Sequence, residues 1–177
     1  MTGSLIAECM LRVAAALALL GFSGCAGPDV APPSGQPSVY RNLAEGGQLD
    51  PAAAQSMISG YRANNGLGAV MIDPALMKLA EEQSRAMVSR DKLDHNAGKG
   101  FQQRITGYNA KVAVENVSAG YHTLAEAFSG WRDSPPHRAN MLKSGVTRMG
   151  IAAVYSPRSK YKVFWTLILA APDDKRG

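Results

Sequence analysis

The chain has 177 residues, 46% of them hydrophobic, and 19 Lys and Arg against 14 Asp and Glu give a formal charge of +5. The cations are interspersed with apolar residues, which describes a solvated basic surface; attraction to anionic lipid or a cell-wall polymer is the alternative. The two cysteines, Cys9 and Cys25, both lie near the start, so an exported form that has lost Cys9 cannot hold an internal disulfide.

Met10-Leu11-Arg12 is a short basic start, Val13 to Phe22 is an apolar run of about ten residues, and Ser23-Gly24-Cys25 closes it. A bilayer span needs ~20 apolar residues, so the run suits a secretory h-region. Ser-Gly-Cys after an apolar residue resembles a bacterial lipoprotein cleavage box, with Phe22 in place of the more usual Leu. Residues 1–24 are therefore expected to be a lipoprotein signal peptide, with Cys25 the lipidated first residue of the mature protein. An ordinary signal peptide followed by an incidental cysteine is the alternative. Met1 to Cys9 is an odd leader, and Met10 is a second candidate start. Residues 25–49, rich in Pro, Gly and Ser, read as an extended tether. Residues 50–172 read as one folded domain, large enough to be held by its core alone. The expected location is the cell envelope, in a diderm cell the outer membrane facing the periplasm or the surface. The partners this implies are a membrane through the anchor and a lipid, cell-wall polymer or protein ligand; nucleic acid is not expected there.

Asp50-Pro51 sets an N-cap before a proline at the first helical position, which predicts a helix to about Asn64, stopped by Asn65-Gly66. Asp73-Pro74 repeats the device, and Leu76, Leu79, Ala80, Gln83, Ala86, Met87 and Arg90 recur at helical spacing behind it. Asp91 to Tyr108 reads as loop, anchored by Phe101 and Ile105. A strand is expected within Lys111 to Ser118. Thr123-x-x-Glu126 is a capping box that opens a third helix. Its core face carries Leu124, Phe128 and Trp131. Ser134-Pro135-Pro136 breaks that helix and starts a short fourth one with Ser134 as N-cap. Arg148 to Tyr155 and Tyr161 to Ala170 are strands by composition, joined as a hairpin through Ser156 to Lys160. The inventory fits an α+β fold, an antiparallel sheet sandwiched between helices.

Three polar groups stand apart from this pattern: Asp94-His95-Asn96, Glu115-Asn116-Val117, and Trp131-x-x-Ser134-Pro135-Pro136-His137-Arg138-x-Asn140. Together with Gly107-Tyr108 they resemble, in order and spacing, the signature of the CAP superfamily: cysteine-rich secretory proteins, antigen 5 and plant pathogenesis-related proteins, with bacterial SCP-like members. The resemblance covers Asp50 to Ala171 and implies a three-layer α–β–α sandwich. It also implies a central cleft in which two histidines and two acidic residues take up a divalent cation. His95, Glu115 and His137 match three of those four positions.

The fourth is missing, because no Asp or Glu lies between His95 and Glu115. Gln102 or Gln103 would fill its space, and a neutral amide is a poor zinc ligand. Zinc held by His95, Glu115 and His137 with water in the fourth position is therefore expected to be weak, and no cofactor is required. By residue type alone, the alternative for each of the three is to cap a turn or satisfy a buried backbone group. Asn116 and Asn140 are expected to hold loops by bonding the backbone, and Trp131 to sit in the core. Ser134 beside His137 invites a nucleophile, but its place before Pro135 fits a cap. Three functions stay open. The preferred one is a non-enzymatic binding module for an apolar ligand, a glycan or a protein. The second is a metal-assisted hydrolase with Glu115 and His137 catalytic. The third is a structural envelope lipoprotein.

Overall fold

The computed structural model describes residues 35–173. The signal peptide, the box ending at Cys25 and the first part of the tether lie outside the described residues. Three of the helices begin at a side-chain cap. Asp50 Oδ1 accepts the Ala52 and Ala53 amides ahead of α1 (Pro51–Ala63), and Asp73 Oδ1 does the same for Ala75 and Leu76 ahead of α2 (Pro74–Arg90). Both prolines occupy a first-turn position whose amide has no helical partner, so they cost no bond. The box at α4 (Leu124–Asp133) is reciprocal. Thr123 Oγ1 accepts the Glu126 amide at 3.2 Å, and Glu126 Oε2 accepts the Thr123 amide at 3.1 Å. α5 (Pro135–Met141) follows directly.

The sheet runs in the order β1-β3-β4-β2, with β1 Met71–Ile72, β2 Ala110–Ala119, β3 Arg148–Tyr155 and β4 Val163–Pro172. β2, β4 and β3 are antiparallel neighbours. β4 starts two residues later than its composition suggests, since Lys162 takes a left-handed φ of 64° before it.

Helices cover both faces. α2 and a short α3 (Phe101–Thr106) pack on one through Leu76, Ala80, Ile105, Ala152 and Ile168. α1, α4 and α5 pack on the other, around Ile58, Trp131, Met141, Ile151 and Leu167. Trp131 is 1% exposed and meets Trp165 edge to face at 6.5 Å. Gly150 is where α2 crosses the sheet. A Cβ there would lie 2.1 Å from the Leu76 carbonyl carbon, so only glycine lets the helix seat this closely. Among the described residues no helix is long and apolar enough to cross a membrane.

Three expectations need correction. Residues 38–49 are not a free tether: Ser38–Tyr40 and Leu43–Glu45 form 3-10 turns, and Leu43 is buried in the core with its amide on the His122 carbonyl. The stretch from Asp91 to Tyr108 is not all loop, because Phe101 and Ile105 fold α3 against α2 and β2. The sheet is antiparallel except at β1, whose two residues run parallel to Arg148 and Met149. That strand is too short to leave a periodic signal.

Candidate functional site

β2 is an outer strand, paired only with β4 among the described residues. Successive side chains of a strand point to opposite faces, so Glu115 and Asn116 serve different layers. Glu115 is buried on the α3 side. Its Oε2 accepts Arg104 Nη2 at 2.7 Å, and its Oε1 pairs with His95 Nδ1 at 2.9 Å. Arg104 is itself buried and donates Nε to the Lys99 carbonyl at 3.0 Å and Nη2 to the His95 carbonyl at 3.3 Å. The loop carrying His95 is tied to α2 as well, since Gln83 Nε2 donates to the Asp94 carbonyl at 2.7 Å. Asp94 Oδ1 tightens the turn by accepting the Asn96 amide.

On the other face Asn116 Nδ2 donates to the His137 carbonyl at 2.9 Å. Asn140 Nδ2 donates to the Glu115 carbonyl at 3.0 Å and to Asn116 Oδ1 at 2.9 Å. α5 is thus clamped to the open edge of β2 by two asparagines, each anchoring a neighbouring backbone group. Ser134 stands at the N-cap of α5, but its side chain caps nothing. Pro136 removes one of the two amides, those of the second and third helical residues, that such a cap would serve. Ser134 Oγ also makes no hydrogen bond to His137, so no nucleophile–base pair is assembled.

The two histidines differ electrically. Hydrogen bonding to the Glu115 carboxylate raises the His95 pKa above its ordinary value, against an opposing contribution from burial. Burial lowers that of His137, and the nearness of His95 lowers it further. The two imidazoles therefore lie near each other, with His95 disposed to carry charge and His137 to stay neutral.

They do not form a ligand set as placed. Among the described residues no three His, Cys, Asp or Glu side chains stand together in a group that could hold a metal ion. Both oxygens of Glu115 are engaged, and a guanidinium balances its charge. Gln102 and Gln103 do not take the missing acidic position either. The phase of α3 turns both outward and sends Arg104 in. Arg104 is the site residue that sequence reasoning missed; its one signal was its place between Phe101 and Ile105, on the inner side of a single helical turn.

A three-layer sandwich whose outer strand presents Glu-Asn to a short Ser-Pro-Pro-His helix is an SCP-like domain. The chain belongs to the Cysteine-rich secretory protein family, CAP, whose model matches residues 55–169. The uncharacterized protein YkwD of Bacillus subtilis is 32% identical over 99 residues, a match covering 54% of this chain and 38% of that protein. The match thus spans well under half the length of that curated relative. Among solved structures, an outer surface protein of Borrelia burgdorferi superposes with a TM-score of 0.62 at 19% identity, covering 71% of this chain and 97% of that one. An extracellular SCP-domain protein of Bacillus anthracis gives 0.56 at 21%, covering 70% and 44% respectively. A cysteine-rich secretory protein of Staphylococcus aureus gives 0.55 at 17%, covering 75% and 40%. At these identities the likeness carries the fold alone.

Proposed function

We propose that this CAP-domain protein is an exported, lipid-anchored binding module of the cell envelope, with no catalytic activity of its own. The observation that carries the reading is the state of Glu115. A metal-assisted hydrolase needs that carboxylate as ligand or base, and here Arg104 and His95 already take both its oxygens. Export and anchoring rest on the apolar run ending in Ser23-Gly24-Cys25. They are supported by the relatives, one described as an outer surface protein, one as extracellular and one as secretory. Two or more acyl chains on Cys25, at ~0.8 kcal/mol per buried CH₂, would hold the protein firmly to a membrane. The ligand classes that suit such a module are an apolar molecule, a glycan or a protein.

The test is a zinc titration by calorimetry of the wild type against His137→Ala, with a peptide and ester hydrolysis assay alongside. Equally weak zinc binding and no turnover support the binding module. Tight zinc binding by the wild type alone, with hydrolysis that Glu115→Gln abolishes, overturns it in favour of the metal-assisted hydrolase. For the anchor, mass spectrometry of protein from the native membrane is expected to show an acylated Cys25, and an unmodified N-terminus refutes it.

A further inference from the structure

The edge of the sheet opposite β2 is only partly covered. β1 pairs with β3 at Arg148 and Met149 and then stops, because Asp73-Pro74 turns the chain into α2. From Gly150 to Tyr155 β3 has no strand on that side among the described residues. Hydrogen-bonding directions alternate along a strand. Met149 O accepts the Asp73 amide on the β1 side, so the backbone groups of Ile151, Ala153 and Tyr155 point the same way. The Ile151 amide is taken by Met77 Sδ at 3.2 Å. The Ile151 carbonyl and both groups of Ala153 have no partner among the described residues.

These groups line a groove of about 840 Å³. One wall is a stripe of α2 containing Pro74, Met77, Lys78, Glu81 and Arg85. At 1.5 Å per residue that stripe is about 16 Å long. The floor, Ile151 to Tyr155, is about 14 Å long at 3.4 Å per residue. The two lengths match, and they fit an extended segment of about five residues.

We propose that this groove accepts an extended peptide of a partner protein, which adds to the open edge of β3 as a fifth strand and carries an acidic side chain for Lys78. An exposed edge offers unpaired N–H and C=O groups in register for a new strand; an acyl chain could bury apolar surface here but would leave them unpaired. The charge of the wall selects the acid. Glu81 is held by Arg85 at 2.6 Å, whereas Lys78 is exposed with no ion-pair partner among the described residues. A second copy is disfavoured because its open edge carries no acidic side chain from 151 to 155 to meet Lys78. The groove lies across the sheet from His95, Glu115 and His137, so the inference goes beyond the function proposed above and does not depend on it.

The test uses the full chain, ¹⁵N-labelled, titrated with acetyl-Val-Thr-Val-Glu-Val-amide and followed by amide shifts and fluorescence anisotropy. Shifts are expected at 151–155 and along the facing stripe of α2. Methylating alternate peptide nitrogens should weaken binding at least tenfold, because those amides supply the ladder bonds. Lys78→Glu, a surface change that leaves the fold intact, should weaken it several-fold and restore it for the peptide with Lys in place of Glu. Equal binding of the methylated peptide would overturn the inference in favour of an apolar ligand. Shifts at 151–155 that appear on concentrating the chain alone would overturn it in favour of a second copy. No shift there at millimolar peptide would close the edge to strands altogether.

Discussion

Arg104→Met isolates the interaction on which the reading of the site depends. The guanidinium and the Glu115 carboxylate meet at 2.7 Å, with side chains 5% and 1% exposed. Removing one partner of a buried ion pair costs about 3–5 kcal/mol, chiefly because the other charge stays buried without compensation. His95 remains as a second partner for Glu115, and its side chain is half exposed, so the lower end applies: about 3 kcal/mol. For a domain of this size that corresponds to a Tm lower by roughly 10 °C. Arg104→Met with Glu115→Met removes both charges, and such replacements are often close to neutral. The double variant should therefore be more stable than either single one, with a coupling energy of at least about 2 kcal/mol in a double-mutant cycle. Urea and thermal unfolding of the four proteins measure it. Losses that simply add, or a loss below about 1 kcal/mol for Arg104→Met, would refute the claim that the charge of Glu115 is committed to Arg104.

Proton titration by NMR should separate the histidines, His137 below the ordinary midpoint of ~6.5 and His95 above it. The raised His95 contributes stability below pH ~6.5 that is lost as pH rises through its folded midpoint. The lowered His137 contributes stability above pH ~6.5 that is lost as pH falls through its own. Glu115→Gln should bring His95 down, and an unmoved midpoint would contradict the assigned cause. Gly150→Ala forces a Cβ to within 2.1 Å of backbone in α2, where no flexible side chain can yield. A loss near 3 kcal/mol is expected in urea unfolding, and a neutral result would mean that α2 does not seat there. Arg62 is 1% exposed and donates to the carbonyls of Gly68, Met141, Lys143 and Val146. Arg62→Met strands those acceptors and should cost at least about 3 kcal/mol; retained stability would show that water replaces the guanidinium.

The starts of α1, α2 and α4 were legible in the sequence because each depends on atoms within three residues. Asp50 and Asp73 each accept amides two and three positions on, and Thr123 and Glu126 exchange bonds across three. Such contacts form wherever the chain turns helical, so the residues alone announce them. The long strands were legible from composition instead, since β3 and β4 are rich in the β-branched and aromatic residues that suit a packed sheet, and β4 is buried along nearly its whole length. The Glu-Asn step and the Trp-x-x-Ser-Pro-Pro-His run carried the family, and with it the sandwich. β1 and α3 carried too few residues for any period to emerge. What only the tertiary structure decided is the state of the site. His95, Arg104, Glu115 and Asn140 lie on four different segments, and their pairing exists only once β2 has docked between α3 and α5. Spacing along the chain places no constraint on which cation finds Glu115. A buried carboxylate takes whatever partner the packed helices bring within reach, and here α3 brought a guanidinium where a second acid was missing.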